Sequence, residues 1–118
     1  EMFEYFCKVV RVVDGDTIDV NIDLGFNIWH KGRVRLAGID TPESRTRNKA
    51  EKVLGLASKA RLKEILKGQK VSILCTKEKG KFGRILAEIM IDDRNVNKQL
   101  MEEGHARPYF GGKKVPWV

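Results

Sequence analysis

A chain of 118 residues, 42% hydrophobic and 33% charged, can build one modest core and leaves no room for a second lobe. The composition excludes a disordered chain, and no apolar run approaches the roughly 18 residues that a membrane-spanning helix needs. A formal net charge of +7 points to a polyanionic partner, nucleic acid before others.

Along the chain, "FCKVVRVV" (residues 6–13) reads as a first strand, rich in Val. "DGDT" (14–17) marks a tight hairpin turn. "TIDVNIDL" (17–24) alternates, with Ile18, Val20, Ile22 and Leu24 on one face and Asp19 and Asp23 on the other, so a half-buried strand is expected. "GFNIWHKG" (25–32) is a Gly-bounded connection, and 33–39 form a third strand. A polar, basic loop then leads into "AEKVLGLASKARLKEIL" (50–66). There Ala50, Val53, Leu54, Ala57, Ala60, Leu62, Ile65 and Leu66 approximate a helical period, closed by Gly68. Strands are expected at 70–76 and 84–91, joined by a basic Gly-containing turn, and a short helix at 96–104 ends in Gly104. The rest, "HARPYFGGKKVPWV", is expected to be irregular. Three strands, a helix, two strands and a helix fit a mainly β fold: a five-stranded Greek-key barrel of the OB type with about two α-helices. An open α+β sheet is the competing topology. A single domain over 1–118 is expected, with its core in about 6–110 and an irregular tail at 111–118.

Two cysteines, Cys7 and Cys75, sit in apolar strand-like runs and read as buried free thiols. Without a Cys-x-x-Cys and with only His30 and His105, no zinc site is expected. No signal peptide opens the chain, so the expected location is cytoplasmic, with secretion after signal removal as the alternative.

The chemistry-bearing residues gather at strand ends. Asp14 and Asp16 flank a glycine after the first strand, and Asp40 and Glu43 follow the third. A hard cation takes carboxylate, carbonyl and water oxygens, which Asp16, Asp40 and the Thr41 carbonyl could offer. Asp14 also suits a plain turn, and Asp40 a cap. Arg35 and Arg84 stand in otherwise apolar strands, where a guanidinium must reach water or hold an anion such as phosphate. Arg33 shares Arg35's face, and the pattern alone does not rank them. Glu43 lies near enough to Asp40 to deprotonate or align a water without binding the metal.

Read together, "VVDGDTI", "RVRLAGIDTPE" and "KGKFGRILAEI" resemble the thermonuclease (staphylococcal nuclease-like) family in motif order, from about residue 6 to 110. The resemblance implies an OB-fold nuclease that hydrolyses phosphodiester bonds of DNA or RNA with one Ca2+ and little sequence specificity. It implies Asp16, Asp40 and the Thr41 carbonyl as calcium ligands and Asp14 as a nearby supporting acid. Glu43 becomes the base that activates or positions the attacking water, and Arg35 and Arg84 the phosphate-binding pair, which selects Arg35 over Arg33. Water attacks in line, leaving 3′-phosphate and 5′-hydroxyl ends. This chain has Phe82 where the family often has Tyr, and its 25–32 connection is longer than in the secreted archetype. Phe82, Tyr109 and Phe110 are expected to stack on bases, and Lys79 and Lys81 to contact flanking phosphates, with Lys77, Arg45, Arg47, Lys49 and Lys52 extending the basic track. The alternative is a non-catalytic nucleic-acid-binding OB module. No membrane partner is expected, and a monomer is the default.

Overall fold

The computed structural model describes residues 2–68, 72–77 and 85–118. Five strands close a barrel: β1 (Phe3–Asp14), β2 (Thr17–Asp23), β3 (Trp29–Leu36), β5 (Ser72–Thr76) and β6 (Ile85–Ile91). Their order is β3-β2-β1-β5-β6, all antiparallel, and β3 pairs with β6 in parallel to complete the circle. This is the OB arrangement, with helices α1 (Lys49–Leu66) and α2 (Val96–Glu102) packed on it. Three two-residue strands are added: β4 (Ile39–Asp40), β7 (Arg94–Asn95) and β8 (Arg107–Pro108).

The core is aliphatic: Ile18, Val20, Val34, Leu36, Ile39, Leu62, Leu74, Ile89, Ile91 and Leu100 are all essentially buried. On β2 the expected alternation holds, with Ile18, Val20 and Ile22 inward. On β1 "VVRVV" cannot alternate. Register breaks between Val9 and Arg11 and between Val12 and Asp14 re-aim it, so that Val10 faces solvent while both Val12 and Val13 are buried.

Several expectations need correction. The 25–32 connection is shorter than expected, because β3 starts at Trp29 opposite Asp23. The tip is Gly25-Phe26-Asn27, three successive residues with positive φ, closed by Leu24 N–H to the Ile28 carbonyl at 2.9 Å. Leu24 consequently leaves the buried face of β2 and is exposed. The tail is not wholly irregular: β8 pairs with β4, Asp40 opposite Arg107.

The largest difference lies in α1. Val53, Leu54 and Leu56 are exposed, and the buried line is Gly55, Ser58, Leu62 and Ile65. Small residues face inward in the first half because another segment passes too close for an aliphatic side chain. A Cβ on Gly55 would lie 2.2 Å from the Glu43 carbonyl oxygen and 2.6 Å from the Ser44 nitrogen. The same close approach explains a glycine inside a helix, which otherwise costs about 1 kcal/mol. Asn48 caps α1 through its side chain, bonded to Glu51 N–H at 3.1 Å, and Glu51 in turn accepts from Glu43 N–H at 3.0 Å. The loop after β4 is therefore moulded on the first turns of α1.

A candidate metal and phosphate site

Asp16 and Asp40 arrive from different parts of the barrel. Asp16 closes the two-residue turn between β1 and β2, where Asp14 pairs with Thr17. Gly15 in that turn lacks a positive φ. Its requirement is steric: a Cβ there would meet Ser58 Cβ and Thr41 Oγ1, each at 2.8 Å. The turn is thereby wedged against both α1 and the residue after Asp40. Asp14 acts as a turn residue, accepting from Gly15 N–H at 3.0 Å.

Asp16 is pinned to the Asp40 segment: its Oδ2 accepts from Thr41 N–H at 3.2 Å, and its Oδ1 from the Thr17 hydroxyl at 3.0 Å. Between the two aspartates lies one guanidinium. Arg35 Nη1 is 3.4 Å from Asp16 Oδ2, and Nη2 is 3.7 Å from Asp40 Oδ1. Nη1 also donates to the carbonyls of Leu36 at 3.1 Å and Ile39 at 2.8 Å. Arg35 thus points away from the core residues Val34 and Leu36 that flank it, under the β3–β4 turn rather than inside the barrel. Arg33 stays on the surface, forked onto Asp19 with Nε at 2.8 Å, and that guanidinium holds the Asp19 carboxyl below its usual range. Packing therefore separates two arginines that the sequence pattern left equal.

Asp16 and Asp40 are 8% and 3% exposed. Two nearly dry carboxylates, one of them bonded to the Thr41 N–H, offer oxygen donors of the kind that a hard cation such as Ca2+ accepts, with water completing the shell. Among the described residues no group of three or more His, Cys, Asp or Glu side chains gathers, so the side-chain donors here are the two carboxylates. Thr41 Oγ1 is buried and has no hydrogen-bond partner. The residues present fit the cation.

Glu43 is exposed, three residues beyond Asp40, with its backbone held by Glu51 and Gly55. Arg84, Lys79, Lys81 and Phe82 lie outside the described residues. Tyr109 and Phe110 border a groove of about 710 Å3, shared with Arg35, Leu36, Leu86 and Lys114. Tyr109 is held by its N–H to the Gly38 carbonyl at 2.9 Å and its hydroxyl to the Gly112 carbonyl at 2.7 Å, while the Phe110 ring is exposed.

Four residues of this site carry no signal in the sequence pattern. Asn97, buried on α2, donates to the carbonyls of Ala37 at 2.9 Å and Ala87 at 3.2 Å, and accepts from Ile89 N–H at 3.3 Å, fixing the β3–β4 turn to the barrel. Arg107 puts Nε and Nη2 on Asp40 Oδ2 at 3.3 and 3.1 Å. Lys114 Nζ is 3.1 Å from Asp40 Oδ1, and Trp117 Nε1 donates to Asp40 Oδ2 at 3.2 Å. Pairing of β8 with β4 brings this group to Asp40, and no spacing within "HARPYFGGKKVPWV" announces it. The cysteines are both free and buried, and burial pushes the Cys7 thiol up to about 11.

Two buried aspartates with an arginine between them thus stand at one rim of an OB barrel. The particular family follows from comparison: residues 33–115 match the family model described as Staphylococcal nuclease homologue, and the chain belongs to that family. It is 39% identical to a thermonuclease of Staphylococcus intermedius over 86% of this chain and 58% of that protein. It is 33% identical to the endonuclease YncB of Bacillus subtilis over 82% of this chain and 44% of that one. An uncharacterised protein of Methanocaldococcus jannaschii is 35% identical over 90% of this chain and 60% of its own length. The chain spans 60% or less of the length of each of these three relatives.

Proposed function

We propose that this chain is a Ca2+-dependent nuclease that hydrolyses phosphodiester bonds of DNA or RNA with little sequence specificity. One observation carries the reading: Asp16 and Asp40, buried and drawn from separate turns, share the Arg35 guanidinium. Membership of a family with thermonuclease and endonuclease relatives supports it. Asp16, Asp40 and the Thr41 carbonyl would hold the cation, which when bound supplies Lewis-acid stabilisation of the phosphoryl oxygens. Arg35 meets a phosphate with its orientation already fixed by two carbonyls, so little ordering remains to be done on binding. Arg84 is the second cation of the pair that balances charge gathering on phosphorus. Glu43, exposed three residues beyond Asp40, takes the proton of the attacking water. Tyr109 and Phe110 offer ring faces for bases, and the basic residues around Glu43 offer phosphate contacts whose strength falls with salt.

The test is a cutting assay on single- and double-stranded DNA and RNA, with Ca2+ or EDTA, alongside Glu43→Gln. Calcium-dependent cutting is expected, and the variant should lose it by orders of magnitude while still retarding the substrate. Retardation without cutting under every metal would move the chain to a binding module. An equally active Glu43→Gln protein would remove Glu43 from the mechanism.

A further inference from the structure

Asp40 is oversupplied with donors. Its Oδ2 accepts three N–H groups, two from Arg107 and one from Trp117. Its Oδ1 faces the Lys114 ammonium at 3.1 Å and Arg35 at 3.7 Å. A carboxylate offers about four lone-pair directions, so these partners fill it. A divalent cation must approach such an oxygen to about 2.4 Å, which Lys114 and Trp117 oppose by both charge and space.

Those two residues ride on a segment folded back over the site. Gly111 and Gly112, with φ of 96° and 87°, reverse the chain in a conformation that other residues rarely adopt. Past that turn, Arg107 donates to the Val115 carbonyl, and its guanidinium lies 4.1 Å from the centre of the Trp117 ring. The Lys114 ammonium sits 5.1 Å from the Tyr109 ring. Residues 111–116 are all exposed, so the segment is fastened by polar and cation–π contacts with little apolar burial. A segment held this way opens at low free-energy cost.

We propose that residues 113–118 form a strap that occupies Asp40 and competes with the divalent cation, so that cation binding and strap release are one equilibrium. The proposal rests on the cation site described under the proposed function and adds its regulation. By reciprocity, whatever holds the strap open raises cation affinity, and bound cation loosens the strap.

Calcium titration by calorimetry tests it in the full chain, in Lys114→Met, and in Lys113→Met as an equal change of charge. Lys114→Met removes a charge-assisted hydrogen bond from the competing state and should tighten Ca2+ binding about tenfold. Lys113→Met should change it less than about twofold, as expected for a screened surface charge. The chain has two tryptophans, so Trp29→Phe leaves Trp117 as the sole indole reporter. Its emission should move to longer wavelength as Ca2+ saturates. Equal affinities in all three proteins with unmoved Trp117 emission would overturn the strap and leave the nuclease reading standing. An absence of Ca2+ binding in every variant would overturn both.

Discussion

Asp40 and Glu103 each face arginine, and their surroundings are opposites. Glu103, the C-cap of α2, takes Arg61 of α1 in a two-pronged pair on the surface, with side chains about 30% exposed. There water is near, Arg61 also faces Glu64 at 3.6 Å, and the pair links two helices. At the rim, the Asp40 side chain is 4% exposed, and with Asp16 it faces Arg35, Arg107 and Lys114. Two carboxylates there meet three cations, of which Arg35 is nearly buried while Arg107 and Lys114 reach solvent. An exposed pair adds modestly to stability, whereas the buried Asp40 carboxylate depends on its cationic partners.

Breaking the rim should have the largest effect. Asp40→Ala leaves three cations around an empty position and should cost about 3 kcal/mol, read as a lower urea midpoint. If the variant keeps its midpoint, the cluster is well solvated and the contrast with Glu103 fails.

Next comes the packing that aims Glu43. Gly55→Ala gains helix propensity but drives a methyl into the Glu43–Ser44 backbone, for a net loss of about 2 kcal/mol. Displacing that loop should also lower cutting at least tenfold, by the usual sensitivity of catalysis to misplacement. A Gly55→Ala protein of unchanged stability and activity would show that the loop does not need this close approach.

The clamp between the helices should give the smallest effect. The Arg61 hydrogen bond, helped by Gln99, lowers the Glu103 carboxyl from 4.5 to about 2. A depressed carboxyl stabilises the fold above its unfolded value and loses that contribution as it is protonated. The clamp is therefore fully present above pH 4.5 and fades as pH falls toward 2. Arg61→Ala should slightly lower the melting temperature at neutral pH and flatten the acid dependence between those values. A steeper acid loss in the variant would contradict the assignment.

Much of this was legible in the chain. β2 could be read from alternation, because one face meets the core and the other meets water. The ends of α1 and α2 were marked by Gly68 and Gly104, both with positive φ, whereas the caps Asn48 and Asn95 emerged only from the structure. α1 was placed correctly but its buried face was not. Apolar period reports which side chains prefer burial, while the neighbouring backbone selected Gly55 and Ser58 because nothing larger fits.

By itself, the sequence determined the five barrel strands, the two helices, the acids at strand ends and the family motifs, since local pattern and short spacing encode these. The family motif favoured Arg35 over Arg33 where the alternation did not, but only the tertiary structure showed its guanidinium between Asp16 and Asp40 and returned Arg107, Lys114 and Trp117 to Asp40 from 67 to 77 residues away. Such contacts depend on which strand ends share a rim and on a turn at Gly111-Gly112, geometry that exists only once the barrel has closed.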